Sequence, residues 1–262
     1  MCTALLSIEP GLPALLVGVR DELNSRTWRP PARHWPDRPE LIGGLDLQAG
    51  GTWLAVSPPA RRAACVLNGL GQPAPEESRR SRGVLPLRAA TSQPLDSSEL
   101  GGFDPFHLLT VEPDRALAQF WDGSALTRRE LAPGLHIAVN SGWATDLLPD
   151  ALLRGASNNG AANGRAHELA RIAYFLPRFM AATRPDPQPG QPVAEAWGDW
   201  FPLVNGDGID PADERALIVR RDLADGRIWG TTSISLVALS PAGLRYDFTG
   251  LPGDPAAWRA VL

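Results

Sequence analysis

The chain opens Met1-Cys2-Thr3-Ala4-Leu5-Leu6-Ser7-Ile8, turns at Pro10-Gly11, and runs on through Leu12 to a charged end at Gly18-Val19-Arg20-Asp21-Glu22. Two apolar, β-like runs separated by a turn dipeptide predict an antiparallel hairpin of residues 2–8 and 12–21. Such a hairpin returns Arg20 and Asp21 to the side of Cys2. Successive strand residues face opposite sides of a sheet, so both can serve one site only where the strand ends or bulges. Loss of Met1 leaves Cys2 with a thiol and a free α-amine on one residue. An N-terminal nucleophile can use its own amine as the base, directly or through a water. The reference pKa of that amine, about 7.7–8.0, suits proton transfer near neutrality. Arg20 is a candidate to hold a substrate carboxylate or lower the thiol pKa, and Asp21 to orient the α-amine.

Outward from this hairpin the β pattern continues. Residues 52–57 and 63–67 read as a second hairpin through Pro58-Pro59, and 106–111, 116–121 and 136–140 as three more strands. The Pro- and Arg-rich stretch 25–40 predicts irregular chain, and 72–100 a loop with one short helical turn. From Gly164 onward, Leu169, Ile172, Ala173, Leu176 and Met180 recur at helical spacing, and Pro177 is expected to kink or end that helix. Residues 185–192 form a stiff connector, after which 216–220, 227–239 and 244–248 read as closing strands. Two runs of strands around a helical insert predict an α+β protein with a largely antiparallel pair of sheets. The closing strands are too few for a core of their own, so residues 1–262 are expected to form a single domain.

Composition limits the chemistry. The 262 residues carry 25 basic side chains, all Arg, against 29 acidic ones, and the net charge of −4 gives no reason to expect nucleic acid as a partner. The absence of lysine excludes Schiff-base chemistry and a P-loop. Two cysteines, Cys2 and Cys65, cannot build a disulfide framework or a Cys-rich zinc site. The sequence His167-Glu168-Leu169-Ala170-Arg171 starts like a metalloprotease helix but has Arg where a second His must bind zinc. Asn205-Gly206-Asp207-Gly208-Ile209-Asp210 loses the calcium-loop phase at Ile209. No metal site is expected. No apolar run reaches the ~18–20 residues of a transmembrane span, and the first residues lack a signal-peptide pattern, so the expectation is a cytoplasmic protein. The 26 prolines and missing lysine suit a GC-rich bacterial genome. Trp28, Trp35 and Trp143 fall in expected loops, where they read as half-buried packing residues ahead of walls for an apolar ligand.

The order of short motifs resembles the NRDE family, also called the transport and Golgi organisation protein 2 family and named for an Asn-Arg-Asp-Glu motif. After Cys2 and Val19-Arg20-Asp21-Glu22 come Ser25-Arg26, Gly44-Leu45-Asp46, Gly51-Thr52-Trp53-Leu54, Cys65-Val66-Leu67-Asn68 and Ser81-Arg82-Gly83. Phe106-His107-Leu108-Leu109, His136-Ile137-Ala138-Val139-Asn140-Ser141 and Trp229-Gly230-Thr231-Thr232-Ser233 continue the series over nearly the whole chain. The resemblance implies an N-terminal-nucleophile (Ntn) hydrolase-like fold, a four-layer αββα sandwich of two largely antiparallel sheets between helical layers. Bile-salt hydrolases and penicillin V acylases, more distant, also begin Met-Cys-Thr, and their pocket asparagines compare with Asn68 and Asn140.

What the resemblance implies is a cysteine amidohydrolase, activated by removal of Met1, that cleaves a non-peptide C–N amide. Cys2 is then the nucleophile, Arg20 and Asp21 order it, and Asn68 and Asn140 hold the oxyanion. No cofactor is implied, and the partner is a small-molecule amide or lipid-like ligand. The alternative comes from the family's eukaryotic members: a non-catalytic protein of ligand binding or trafficking, handling haem or acyl-CoA on the same fold. The sequence departs from the pattern at Val19, which replaces the naming Asn, at Thr232, where the family has Arg, and at Gly69, where a bulkier residue is usual. The acylases separate their Arg and Asp by two residues, whereas Arg20 and Asp21 are adjacent; Arg165 and Arg171 are the options for the acylases' later arginine.

Overall fold

The computed structural model describes residues 2–147 and 160–262, so Met1 and its removal lie outside the described residues. Fifteen strands, named here in chain order, fall into two sheets among the described residues. The first holds β1 (Thr3–Ile8), β2 (Ala14–Leu23), β10 (Gly134–Val139), β11 (Gly142–Trp143), β13 (Ile228–Leu239), β14 (Leu244–Thr249) and β15 (Arg259–Ala260), in the order β11-β10-β1-β2-β13-β14-β15. Strand β12 (Arg220–Asp222) pairs with the first residues of β13. The second runs in sequence order through β3 (Trp28–Ala32), β4 (Ile42–Asp46), β5 (Leu54–Ser57), β6 (Arg62–Asn68), β7 (Phe106–Val111), β8 (Ala116–Trp121) and β9 (Leu126–Glu130). Every strand pair is antiparallel.

The period of two decides the layers. Ala4, Leu6 and Ile8 of β1 and Ala14 and Leu16 of β2 point into a core shared with Leu54, Val56, Ala63 and Cys65 of the second sheet. Leu5, Leu15, Val17 and Val19 point the other way, onto helices. Both faces of the hairpin are therefore covered, which is why its apolar runs are continuous and not alternating. The helical cover of the first sheet is α2 (Gly160–Ala181), α3 (Val193–Trp197) and α4 (Trp200–Val204); the second sheet is covered by α1 (Val84–Ala90), whose Leu85, Leu87 and Ala90 pack on Ala55, Ala64 and Leu108. The result is the α+β, four-layer αββα sandwich expected for an Ntn-hydrolase-like chain.

Several local expectations change. The stretch 25–40 contains β3, where Pro30 and Pro31 are tolerated because β3 pairs only with β4 and has an irregular register between Arg29 and Ala32. The buried stripe of α2 is Ile172, Phe175 and Phe179, while Met180 is 70% exposed. Pro177 does not end α2; it lies with Ala173 on the exposed face, where water can serve the carbonyl that loses its N–H partner. Residues 216–219 are buried but make no strand, and pairing begins only at Arg220. Trp28 meets Trp53 and Phe248 edge-on at 5.8 and 5.9 Å, Trp35 donates to the Gly50 carbonyl at 3.0 Å, and Trp143 is buried, so all three are packing residues.

Where the β4–β5 connection approaches the segment before α1, the two backbones nearly touch. A Cβ on Gly51 would lie 2.4 Å from the Gly83 carbonyl carbon, and the Thr52 N–H donates to the Gly83 carbonyl at 2.9 Å. Backbone atoms at that distance can make room only by moving both segments. Gly51→Ala is expected to lower stability by about 1–3 kcal/mol, the cost of overpacking a tight contact. Urea denaturation checks this, and an unchanged midpoint would show the contact to be loose.

Candidate active site

Cys2 lies one residue before β1, and the pairing on either side fixes its neighbours. Thr3 is opposite Val19 of β2 and Val139 of β10, so one step further Cys2 falls between Arg20 and Asn140. The Cys2 N–H donates to Asn140 Oδ1 at 3.3 Å. With its oxygen so engaged, the Asn140 side chain turns its NH2 group away from the Cys2 nitrogen, and that group has no acceptor among the described residues. A cleft of about 460 Å3 opens beside Cys2, with Arg20, Asp21 and Asn68 in its wall. Four of the five candidates, Cys2, Arg20, Asp21 and Asn68, line this cleft, and Asn140 is joined to it through its bond to the Cys2 nitrogen.

Arg20 and Asp21 keep the alternation of β2 and face opposite sides of the sheet; the bulge lies on the neighbouring strand. Asp21 pairs with Thr231 and Arg20 with Ser233, leaving Thr232 as the extra residue of β13. The Arg20 side chain follows the even-numbered residues toward the second sheet, donates to Thr232 Oγ1 at 2.8 Å, and lies 4.5 Å from the Trp53 ring centroid. Glu22 and Asp46 face it at 3.8 and 3.7 Å. Burial pulls the Arg20 pKa below its ordinary value, against the raising effect of Glu22, the Cys2 thiolate and Asp46. Its charge is met by two carboxylates of the chain itself.

Asp21 follows the odd-numbered residues toward the helices. Its Oδ1 accepts from Thr231 Oγ1 at 2.7 Å, and its Oδ2 lies 3.5 Å from Arg171 Nη1. Arg171 is 1% exposed and also donates to Thr3 Oγ1 at 2.5 Å and to the Ala216 carbonyl at 2.8 Å. Arg165 is exposed, so of the two options it is Arg171 that reaches the site. The signal for it was legible: Arg171 sits in the same helical phase as Ile172, Phe175 and Phe179, where a charge needs a partner.

Asn140 is held from two further sides. His107 Nε2 donates to the Asn140 carbonyl at 3.2 Å, with the ring stacked on Phe120 at 4.5 Å. Glu168 Oε2 accepts from the Ser141 N–H at 3.2 Å. Asn68, at the exposed end of β6, has no side-chain hydrogen bond among the described residues and is free to donate into the cleft. Gly69 after it has a steric reason: a Cβ there would meet the Phe106 nitrogen at 2.7 Å.

Burial pushes the Cys2 thiol up from its ordinary value, and the Asp21 carboxylate adds to this; the thiol's contact with the Asp21 carbonyl and the Arg20 charge act against it. Arg20 therefore does pull toward thiolate, but the loss of water outweighs it. Cys65 lies in the inter-sheet core, where burial raises its thiol to about 12. The motif pieces of the sequence close around the same cleft: Arg26 bonds Asp46 at 2.6 Å, and Trp53, Ser81, Arg82 and Gly83 line the wall. Sequence reasoning had no role for Trp53, Asp46 or Thr231. Their partners are distant in the chain, and only the sheet pairing brings them together.

Burial pulls His107 down to about 4. An unfolded His titrates near 6.5, so below that pH the unfolded chain takes up a proton that the folded chain refuses. This contribution is complete above pH ~6.5 and is lost as pH falls toward ~4, by about 3 kcal/mol in all. His107→Gln, which keeps a donor toward the Asn140 carbonyl, is expected to flatten that part of a stability-against-pH curve measured by denaturant unfolding. An unchanged slope would place the titration elsewhere.

Comparison with known proteins bears on this architecture. No curated protein matches the sequence. Among solved structures, an N-acylethanolamine-hydrolyzing acid amidase ortholog from Caenorhabditis elegans aligns over 98% of this chain and 95% of its own, at a TM-score of 0.41 and 8% identity, a likeness that reaches neither substrate nor mechanism. The family described as Transport and Golgi organisation 2 matches residues 1–149, more than half the chain, which contain Cys2, Arg20, Asp21, Asn68 and Asn140. With that match over both flanks of Cys2 and the whole second sheet, the chain belongs to the Transport and Golgi organisation 2 family.

Proposed function

We propose that the chain is a cysteine N-terminal-nucleophile hydrolase that cleaves the C–N bond of a small, non-peptide amide. The observation that carries the proposal is the bond from the Cys2 nitrogen to Asn140 Oδ1 beside a cleft that also receives Arg20, Asp21 and Asn68. Once the Met1–Cys2 bond is cut, that nitrogen is an α-amine, and the same bond orients its lone pair for the adjacent thiol. The amine takes the thiol proton as Sγ attacks the amide carbonyl carbon. Burial disfavours the charged form of the thiol, which leaves a proton for the amine to take.

The attack places negative charge on the carbonyl oxygen. The free NH2 groups of Asn140 and Asn68 are the side-chain donors that can meet it, and the fixed backbone of Asn140 lets its amide do so without reorganising. Collapse breaks the C–N bond, and the α-ammonium returns its proton to the departing amine. Water, activated by the freed amine, then attacks the thioester and releases the acid and Cys2. Arg20 and Asp21 hold the strand ends on either side of this chemistry rather than share in it, through Thr232, Trp53, Thr231 and Arg171.

The haem part of the other reading, ligand binding without turnover, gains no support from the cleft. A haem slot needs flat apolar walls; here five arginines and four carboxylates line the wall. These residues do not fit haem, and no step is derived through it.

Purified protein with Cys2 as its first residue, established by intact mass, is expected to react with iodoacetamide at Cys2 faster than at Cys65, and faster with rising pH. It should also form an acyl adduct on Cys2, visible by mass, with at least one member of an N-acyl amide panel. Asn140→Ala is expected to reduce turnover by about 10²–10³, while Cys65→Ala retains it. Preferential labelling of Cys65, or an adduct that survives Cys2→Ala, would falsify the mechanism.

A further inference from the structure

The cleft beside Cys2 is lined by Arg20, Arg26, Arg79, Arg80 and Arg82. Four of these already face a carboxylate. Arg20 lies 3.7 Å from Asp46, Arg26 2.6 Å from Asp46, Arg79 3.2 Å from Asp104 and Arg80 3.1 Å from Glu99. Arg82 differs. Its one hydrogen bond is from Nη1 to the Pro105 carbonyl at 2.8 Å, and among the described residues no carboxylate stands within ion-pairing distance of its guanidinium. Of the two remaining acids of the wall, Glu22 lies 3.8 Å from Arg20 and 3.7 Å from Arg26, so that it and Asp46 balance those two arginines, and Asp21 is engaged from behind by Arg171. The cleft therefore carries a surplus of one positive charge, located at Arg82.

That charge is held in place. Arg82 sits in the segment whose Gly83 backbone nearly touches Gly51 and accepts from the Thr52 N–H at 2.9 Å. The Pro105 carbonyl fixes one arm of the guanidinium and leaves the others for a ligand. Burial lowers the Arg82 pKa, while Asp104 and the thiolate form of Cys2 raise it, so the side chain is within electrostatic reach of the nucleophile. A planar fork with unspent N–H donors matches a carboxylate in two parallel bonds. One surplus charge matches a monoanion better than a phosphate dianion.

We infer that Arg82 is the specificity-determining residue of the cleft and binds a free carboxylate on the substrate, so that the amides it selects are N-acyl amino acids. This rests on the hydrolase reading for turnover, but the binding step does not need the thiol. The probes are N-phenylacetylglycine and its methyl ester, in which one methyl group cancels that charge. On a Cys2→Ala background, calorimetric titration is expected to give at least 10-fold tighter binding of the acid than of the ester. Arg82→Gln should bring the two within about 2-fold, Arg82→Lys should restore part of the difference, and Arg227→Gln, at an exposed arginine paired with Asp225 outside the cleft, should leave it intact. Thermal unfolding of each variant confirms that it folds.

Cleavage of the same pair by protein bearing Cys2 as its first residue separates the two ideas. Preference for the acid in binding, lost in Arg82→Gln, supports the inference whether or not turnover occurs; binding with no cleavage sinks the hydrolase reading alone. Equal affinity for acid and ester, no binding of the acid, or a preference that survives Arg82→Gln overturns the inference, even if amides are cleaved.

Discussion

The position of Cys2 depends on one buried guanidinium. Arg171 reaches from α2 through the helical layer and binds Thr3 at the start of β1, Asp21 near the end of β2, and the carbonyl of Ala216 in the segment leading to β12. Four pieces of chain remote in sequence are joined at a spot with almost no water. A buried ion pair is a poor source of stability, because desolvating both charges offsets much of their attraction. Its effect is on registry. A shift of β1 by one residue would exchange the faces of Thr3 and Cys2, sending the thiol into the helices and leaving Arg171 with an unmet donor. The helix layer thereby holds the hairpin in the one register that puts Cys2 on the cleft side.

Much of this was legible in the sequence, and the failures are physical. Strands with both faces buried, such as β1, β2, β7 and β13, announced themselves as apolar runs close to their observed bounds. Strand β9, Leu-Thr-Arg-Arg-Glu, carries no apolar face, and pairing with β8 alone makes it a strand. The short α3 and α4 were invisible because five residues give no period to count; they are held by Trp197, which donates to Asp247 at 2.7 Å, and by Trp200 in the core. In α2 the apolar spacing points one step off the buried face, which Phe175 and Phe179 carry and Met180 does not.

The site follows the same division. The hairpin fold-back was enough to bring Arg20 and Asp21 beside Cys2, but strand alternation keeps their side chains on opposite faces, and the bulge falls on β13. Which strand would bulge could not be read, because Thr232 lies more than two hundred residues away in the chain. The departures from the family pattern also acquire reasons. Val19 is buried among Leu5, Val17, Ile137 and Ile234 under the helices, a place that suits an apolar side chain. Thr232 supplies the hydroxyl that Arg20 bonds, and Gly69 gives way to the Phe106 backbone.

Strand β3 closes one end of the second sheet with two consecutive prolines. Proline has no N–H to give, and successive N–H groups point to opposite edges of a strand, so one of the two prolines removes a donor from this rim, where the register is also irregular. The opposite rim, β9, offers adjacent arginines and a glutamate. Sheets with open, regular rims recruit further strands and grow into aggregates. Here the residues that make β3 hard to read as a strand are the ones that keep the sheet from extending into a neighbour, which gives the protein a built-in resistance to edge-to-edge self-association at high concentration.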